Sequence, residues 1–325
     1  MSNSGSLGPS RDADAGKPPL ALIAGPTASG KSDLAVGLAL RLRERGQQAA
    51  IINADSAQVY RDLSILSARP RPDEMRGIEH RLFGTWDGAQ ACSAADWARA
   101  ARREIEECHA TGVLPILVGG TGLYLRTLLD GIAPIPAIDP AVRESVRAIP
   151  VDAAYAALLE EDPERAALLA PADTTRVARA LEVVRSTGRA LGYWQERREG
   201  GIGDEVTLSA VVLLPERDRL YERCDERFAV MLENGAVEEV RVLLERELDP
   251  DLPVMRAIGV PELTSYLGGA LSLEQAIERG TQATRNYAKR QFTWLRHQLP
   301  ASWPRLDPSN FNFDDLFVIL FPLLA

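Results

Sequence analysis

Residues 20 to 32 read Leu-Ala-Leu-Ile-Ala-Gly-Pro-Thr-Ala-Ser-Gly-Lys-Ser, and this stretch restricts the fold more than any other in the chain. Leu20 to Ala24 is an apolar run of strand length, stopped by Gly25-Pro26. Gly25-x-x-x-x-Gly30-Lys31-Ser32 then completes the pattern of a phosphate-binding loop. Gly25 and Gly30 allow a tight turn whose N–H groups point inward, while Pro26, Thr27, Ala28 and Ser29 form its span. Lys31 adds positive charge, and the Ser32 hydroxyl has the position of a Mg²⁺ ligand. Leu34, Leu38 and Leu42 follow at helical spacing up to Gly46, so a helix N-terminus faces the same anion. Strand, loop and helix together are the context in which the pattern has chemical meaning.

The chain has 325 residues, 46% hydrophobic and 26% charged, enough for one large core and a smaller subdomain. Cys92, Cys108 and Cys224 lack metal-ligand spacing and read as reduced thiols of a cytoplasmic protein. Residues 1–17 are rich in Ser, Gly and Asp and read as a disordered tail rather than a signal peptide. Leu316 to Ala325 is apolar, yet at ten residues with Pro322 inside it is too short to span a bilayer; docking on the protein body is expected. A net charge of −9 argues against a nucleic-acid partner, but the local distribution argues for an anionic one. Arg176 to Arg198 holds six arginines against two glutamates, and Arg279 to Gln298 holds five basic residues and no acid.

Ala49 to Asn53 reads as a second buried strand leading into Ala54-Asp55, so Asp55 lies just past a strand's carboxyl end, where open α/β sheets place their ligands. Ser93 with Asp96 resembles a capping box opening a helix that ends near Gly112. Leu114 to Val118 is a third strand, leading into Gly119-Gly-Thr-Gly-Leu-Tyr124. From Gly131 prolines interrupt the pattern, and 141–199 reads as helical. Val206 to Leu214 returns as a strand, followed by one long helix over 217–247 and a basic helix over 274–298. The expected class is α/β: a P-loop NTPase-like parallel sheet core flanked by helices, with a helical insertion domain. The core is expected over 18–134 and 200–305, the insertion over 135–199, and a tail over 306–325.

Taken in order, the loop, Asp55-Ser-Ala-Gln58, Cys92-Ser-Ala-Ala-Asp-Trp97, Gly119-Gly-Thr-Gly-Leu-Tyr124, Cys224-Asp-Glu-Arg-Phe228, Arg256-Ala-Ile-Gly259 and Ala283-Thr-Arg-Asn-Tyr-Ala-Lys-Arg-Gln291 resemble the tRNA dimethylallyltransferases, also called tRNA isopentenyltransferases. The likeness spans about residues 18–300. The resemblance implies transfer of a dimethylallyl group from its diphosphate to N6 of the adenosine just 3′ of the anticodon, with Mg²⁺ and release of pyrophosphate. It implies a monomer, no membrane association, and tRNA gripped by the helical insertion.

Site roles follow from the same resemblance. Gly25 to Ser32 and Arg227 are expected on the diphosphate, where a guanidinium fork suits the oxygens. An exocyclic adenine amine is a poor nucleophile, and Asp55 is the candidate base that accepts its proton. Thr121 is expected to hydrogen-bond beside the reacting groups. Contacts to tRNA fall on Asp55, Ser56, Ala57, Gln58, Thr121, Arg143, Thr175, Arg176, Val177, Ala178, Arg179, Arg256, Ala257, Ile258, Gly259, Val260 and Pro261. Arg285, Lys289 and Arg290 are further basic candidates for phosphate or tRNA.

The chain departs from the family at four places, one of which, Ser32 for the commoner Thr, keeps the hydroxyl that Mg²⁺ needs. Val260-Pro261 stands where Tyr and a basic residue are usual, Gly84 where Asp is common, and Cys92 where Tyr is common. Two rival functions share the loop. An adenylate isopentenyltransferase acting on AMP, ADP or ATP needs no Arg-bearing insertion, and a P-loop small-molecule kinase binding ATP needs an arginine-studded lid that the sequence lacks.

Overall fold

The computed structural model describes residues 16–322, so the tail expected over 1–17 lies largely outside the described residues. Among the described residues six strands form one sheet: β1 (Pro19–Ala24), β2 (Ala49–Ala54), β3 (Glu79–Arg81), β4 (Leu114–Gly119), β5 (Thr207–Leu213) and β6 (Arg305–Leu306). Their order is β3-β2-β4-β1-β5-β6, and every neighbouring pair is parallel. The central strands are apolar on both faces, as a sheet covered by helices on each side requires.

The register explains where a site forms. Gly119 pairs with Ala24 on one side and with Ala54 on the other, so the carboxyl ends of three strands finish level. The segments that leave them are the phosphate loop, Asp55-Ser56 and Gly120-Thr121. A Cβ on Gly119 would lie 2.1 Å from the Ala54 carbonyl oxygen, which only a hydrogen at that position avoids.

Helices secure this arrangement. Lys31–Glu44 buries Leu34, Leu38 and Leu42 and ends before Gly46, which has φ +83°. Ala94–Ala110 opens with the reciprocal Ser93–Asp96 box and anchors on β2 through Trp97 Nε1, which donates to Asn53 O at 2.9 Å. The single helix expected over 217–247 is instead two, Arg217–Glu233 and Ala236–Leu244. Asn234-Gly235 breaks it, because Gly235 takes φ +97° and turns the chain out of the helical region. Phe313–Leu320 is a further helix; Leu316, Phe317 and Leu320 join the buried cluster that holds β1, β5 and the Lys31–Glu44 helix. Among the described residues no helix is long and apolar enough to cross a membrane.

The chain divides into two compact units. One comprises the sheet, up to Thr127 and again from Gly203; the other is Leu128–Ile202. The second consists of helices Pro140–Arg147, Val151–Glu161, Pro163–Ala166, Thr174–Thr187 and Leu191–Gln195. Leu158, Ala166, Val177, Ala180 and Leu181 are fully buried at its own core.

Candidate active site

The phosphate loop leaves β1 with Ala28 at φ +61° and Gly30 at φ +82°, a curl that turns successive amides to one side. Lys31 is buried and its Nζ donates to Pro26 O at 3.2 Å. Burial lowers its pKa to about 8, with Asp55 opposing that shift and Arg227 adding to it. Ser29 is also buried, and its hydroxyl has no hydrogen-bond partner among the described residues. A small cavity of about 60 Å³ lies at this loop, lined by Thr27 to Asp33 together with Asp55, Gln58 and Arg227.

Asp55 is buried at the tip of β2. Its backbone N–H donates to Asn53 Oδ1 at 2.9 Å, and its own Oδ1 accepts from Ala57 N at 2.9 Å, an Asx turn that fixes the carboxylate. Across from it, Thr121 Oγ1 accepts from Ser56 N at 3.0 Å and lies 3.3 Å from Ser56 Oγ. The Tyr287 phenol joins the same hydroxyls, a contact the sequence reading misses; burial pushes its pKa up, and Asp55 adds to that shift.

Arg227, on the Arg217–Glu233 helix, donates from Nη1 to Thr27 Oγ1. Burial lowers its pKa, with Asp55 acting in the opposite direction. Thr27, Asp55 and Arg227 therefore line the loop cavity and also a larger one of about 330 Å³. That larger cavity is walled by Tyr60, Cys92, Tyr124, Phe228, Met231 and Tyr287 and reaches Arg256 and Arg290. The loop cavity and the aromatic-walled cavity thus adjoin at Thr27, Asp55 and Arg227, which line both, and the larger one is in the size range of small-molecule sites.

Known proteins match this chain over nearly its whole length. A family model described as IPP transferase matches residues 58–298, and one described as isopentenyl transferase matches residues 18–97. The tRNA dimethylallyltransferase of Erythrobacter litoralis is 63% identical over 305 residues, covering 94% of this chain and 96% of its own. That of Novosphingobium aromaticivorans is 66% identical over 267 residues, covering 82% and 95%. The chain belongs to the tRNA dimethylallyltransferase family. Among solved structures, the tRNA isopentenylpyrophosphate transferase of Bacillus halodurans aligns with a TM-score of 0.67 at 34% identity over 95% of this chain and 96% of its own. A eukaryotic dimethylallyltransferase acting on tRNA aligns with a TM-score of 0.71 at 29% identity over 86% and 70%.

Within this tRNA dimethylallyltransferase fold the other expected residues are placed as follows. Ser56 and Ala57 line the larger cavity, while Gln58 is buried and braces the loop that follows by donating to Ser67 O and Ala68 O. Arg256, ion-paired with Asp251, lines the cavity with Ala257 and Ile258. Gly259, at φ +94°, caps the helix Val260–Leu267. Val260 is buried there, and Pro261 occupies its exposed first turn, so the departure from the family pattern serves a helix start.

Arg143, Thr175 and Arg176 are exposed on the helical unit, Ala178 and Arg179 are half-buried, and Val177 is fully buried in its core. Arg176 pairs with Asp173, and Arg179 and Arg147 both approach the buried Glu182 carboxylate. Of the basic residues on the final helix, Arg285 is bound by Asp225, Lys289 is exposed and Arg290 lines the larger cavity.

Proposed function

We propose that this protein, as a cytoplasmic monomer, transfers the dimethylallyl group of dimethylallyl diphosphate to N6 of the adenosine 3′ of the anticodon in tRNA. The observation that carries the reading is that Thr27, Asp55 and Arg227 line both the loop cavity and the larger cavity that Ser56 and Tyr287 also line. The diphosphate takes the loop amides, Lys31 and Arg227. These positive groups stabilise the negative charge that grows on the leaving oxygen as the C–O bond breaks. The splayed-out adenine enters from the aromatic side, where removing a base from its stack is offset by new contacts. As N6 forms its bond to the allylic carbon, Asp55 accepts the amine proton, and the Thr121 hydroxyl holds the acceptor in line.

The donor set suits Mg²⁺ held mainly by substrate. Among the described residues no cluster of three or more His, Cys, Asp or Glu side chains could hold a metal, while the unpartnered Ser29 hydroxyl and the partly buried Ser32 line the cavity at the phosphate loop. Ser32 is the residue that would hold Mg²⁺ there, together with the substrate's phosphate oxygens. Bound there, Mg²⁺ would neutralise the departing pyrophosphate. Gly25 to Ser32 and Arg227 accordingly bind the diphosphate. Arg143, Thr175, Arg176 and Arg179 on the helical unit, and Arg256 to Ile258 on the sheet-bearing unit, supply tRNA contacts, while the buried Val177 and Val260 hold their helices in place.

The test is direct. The protein is incubated with dimethylallyl diphosphate and Mg²⁺, without ATP, and offered unmodified tRNA or AMP; the nucleosides are then resolved by mass spectrometry. Prenylated adenosine in tRNA alone supports the reading. Product from AMP with none from tRNA replaces it with an adenylate isopentenyltransferase.

A further inference from the structure

Gln291 lies buried on the helix Leu273–Gln298 and bonds to two separate loops. Its Oε1 accepts from the Thr27 amide at 2.8 Å, and its Nε2 donates to Gly120 O at 3.0 Å. The same two loops meet through Gly25 N, which donates to Gly119 O at 3.1 Å. A Cβ on Gly120 would sit 2.3 Å from Gly25 O and 2.7 Å from the Gln291 amide nitrogen, so the three groups are packed without slack. One carboxamide therefore spans the phosphate loop and the turn that carries Thr121.

This bridge has a chemical consequence. The Thr27 amide belongs to the phosphate-binding stretch but is committed to a side chain, while Arg227 holds the Thr27 hydroxyl from the other direction. An anion in the loop is left to the amides beyond Thr27 and is thereby drawn toward Lys31 and Ser32. We propose that Gln291 is a positioning residue that fixes the diphosphate relative to Asp55 and Thr121 by clamping both loops to one amide. The proposal rests on the transfer reading above. Releasing the clamp frees the Thr27 amide for the anion, so ground-state binding is kept or tightened while the allylic carbon loses alignment with the attacking nitrogen. Misalignment of about 1 Å costs on the order of a hundredfold in rate.

Gln291→Met keeps volume and helix propensity while removing both hydrogen bonds. Wild type and variant are compared for pyrophosphate affinity by calorimetry with Mg²⁺, for kcat and KM with dimethylallyl diphosphate and unmodified tRNA, and for thermal unfolding. The expected result is a kcat lower by about thirtyfold or more, with pyrophosphate Kd and KM unchanged or lower. Gln291→Glu retains the acceptor for Thr27 but repels the diphosphate, so its KM should rise as kcat falls. A methionine variant with kcat within about threefold of wild type overturns the proposal. So does one whose kcat, pyrophosphate affinity and melting temperature fall together, since that marks a purely structural residue. Failure of the wild-type protein to modify tRNA refutes the transfer reading instead, whatever the variants do.

Discussion

Arg227 Nη1 donates to Thr27 Oγ1 at 3.1 Å, joining the helix Arg217–Glu233 to the loop that follows β1. The guanidinium arrives from a segment 200 residues away in sequence, yet lines the same two cavities as Asp55. Arg227→Ala should raise KM for dimethylallyl diphosphate by roughly ten- to a hundredfold, the range of a lost charge-assisted hydrogen bond. Arg227→Lys should recover only part of this, because an ammonium lacks the fork. Steady-state kinetics at saturating tRNA checks both, and an unchanged KM removes Arg227 from the diphosphate site.

Asp55→Asn preserves the acceptor oxygen of the turn to Ala57 N but cannot take up a proton. Transfer should fall by about a hundredfold or more, while tRNA affinity stays within a few-fold. Single-turnover rates and filter binding separate the two. A near-normal rate would mean that the proton leaves by another route.

Lys31 supplies the pH dependence. With its pKa lowered to about 8 by burial, it loses charge as pH rises through that value, and pyrophosphate affinity should weaken accordingly. Titrating affinity in wild type and Lys31→Met isolates this contribution from the titration of pyrophosphate itself; parallel curves would exclude it. The linked effect on stability has the opposite sense. The folded state binds fewer protons than the unfolded chain between about pH 8 and the ordinary lysine value of 10.5, so this residue adds stability as pH rises across that window.

In the helical unit, Arg176→Ala with Arg179→Ala should weaken tRNA binding and reduce the slope of log K against log salt by about one to two. Arg179 also helps neutralise the buried Glu182, which Arg147 would then hold alone at 3.0 Å. A thermal melt must accompany the salt series. An unchanged slope in a folded variant excludes these arginines from the interface.

Phe317 is 2% exposed in the main core, with the Arg45 guanidinium 4.5 Å from its ring centroid. Phe317→Ala should cost about 3–5 kcal/mol by urea denaturation, as loss of a core aromatic does. A cost below about 1 kcal/mol would show that the C-terminal helix is only loosely attached.

The main strands were readable because continuous apolar runs ended in turn residues. Edge strands β3 and β6 were not, since Glu79-His-Arg and Arg305-Leu carry no apolar period and are two or three residues long. The break at Asn234-Gly235 did carry a turn dipeptide, but Cys224, Phe228, Leu232, Ala236, Val240 and Leu243 continue the helical spacing across it. Thr27, Asp55 and Arg227 stood in recognisable patterns, and the cavity gathers them. Tyr287 and Gln291 sat in a helix whose charges drew attention. Their importance comes from which loops that helix touches, and helical periodicity does not report such contacts.

Where β2 and β4 run out side by side, a missing methyl at residue 119 determines how near the two tips can come. Enlarging that position would spread both exits together, carrying Asp55 and Thr121 apart in one movement. The two strand exits are in that sense a single casting, and what the pocket admits can change more easily through the surrounding walls than by adjusting either tip alone.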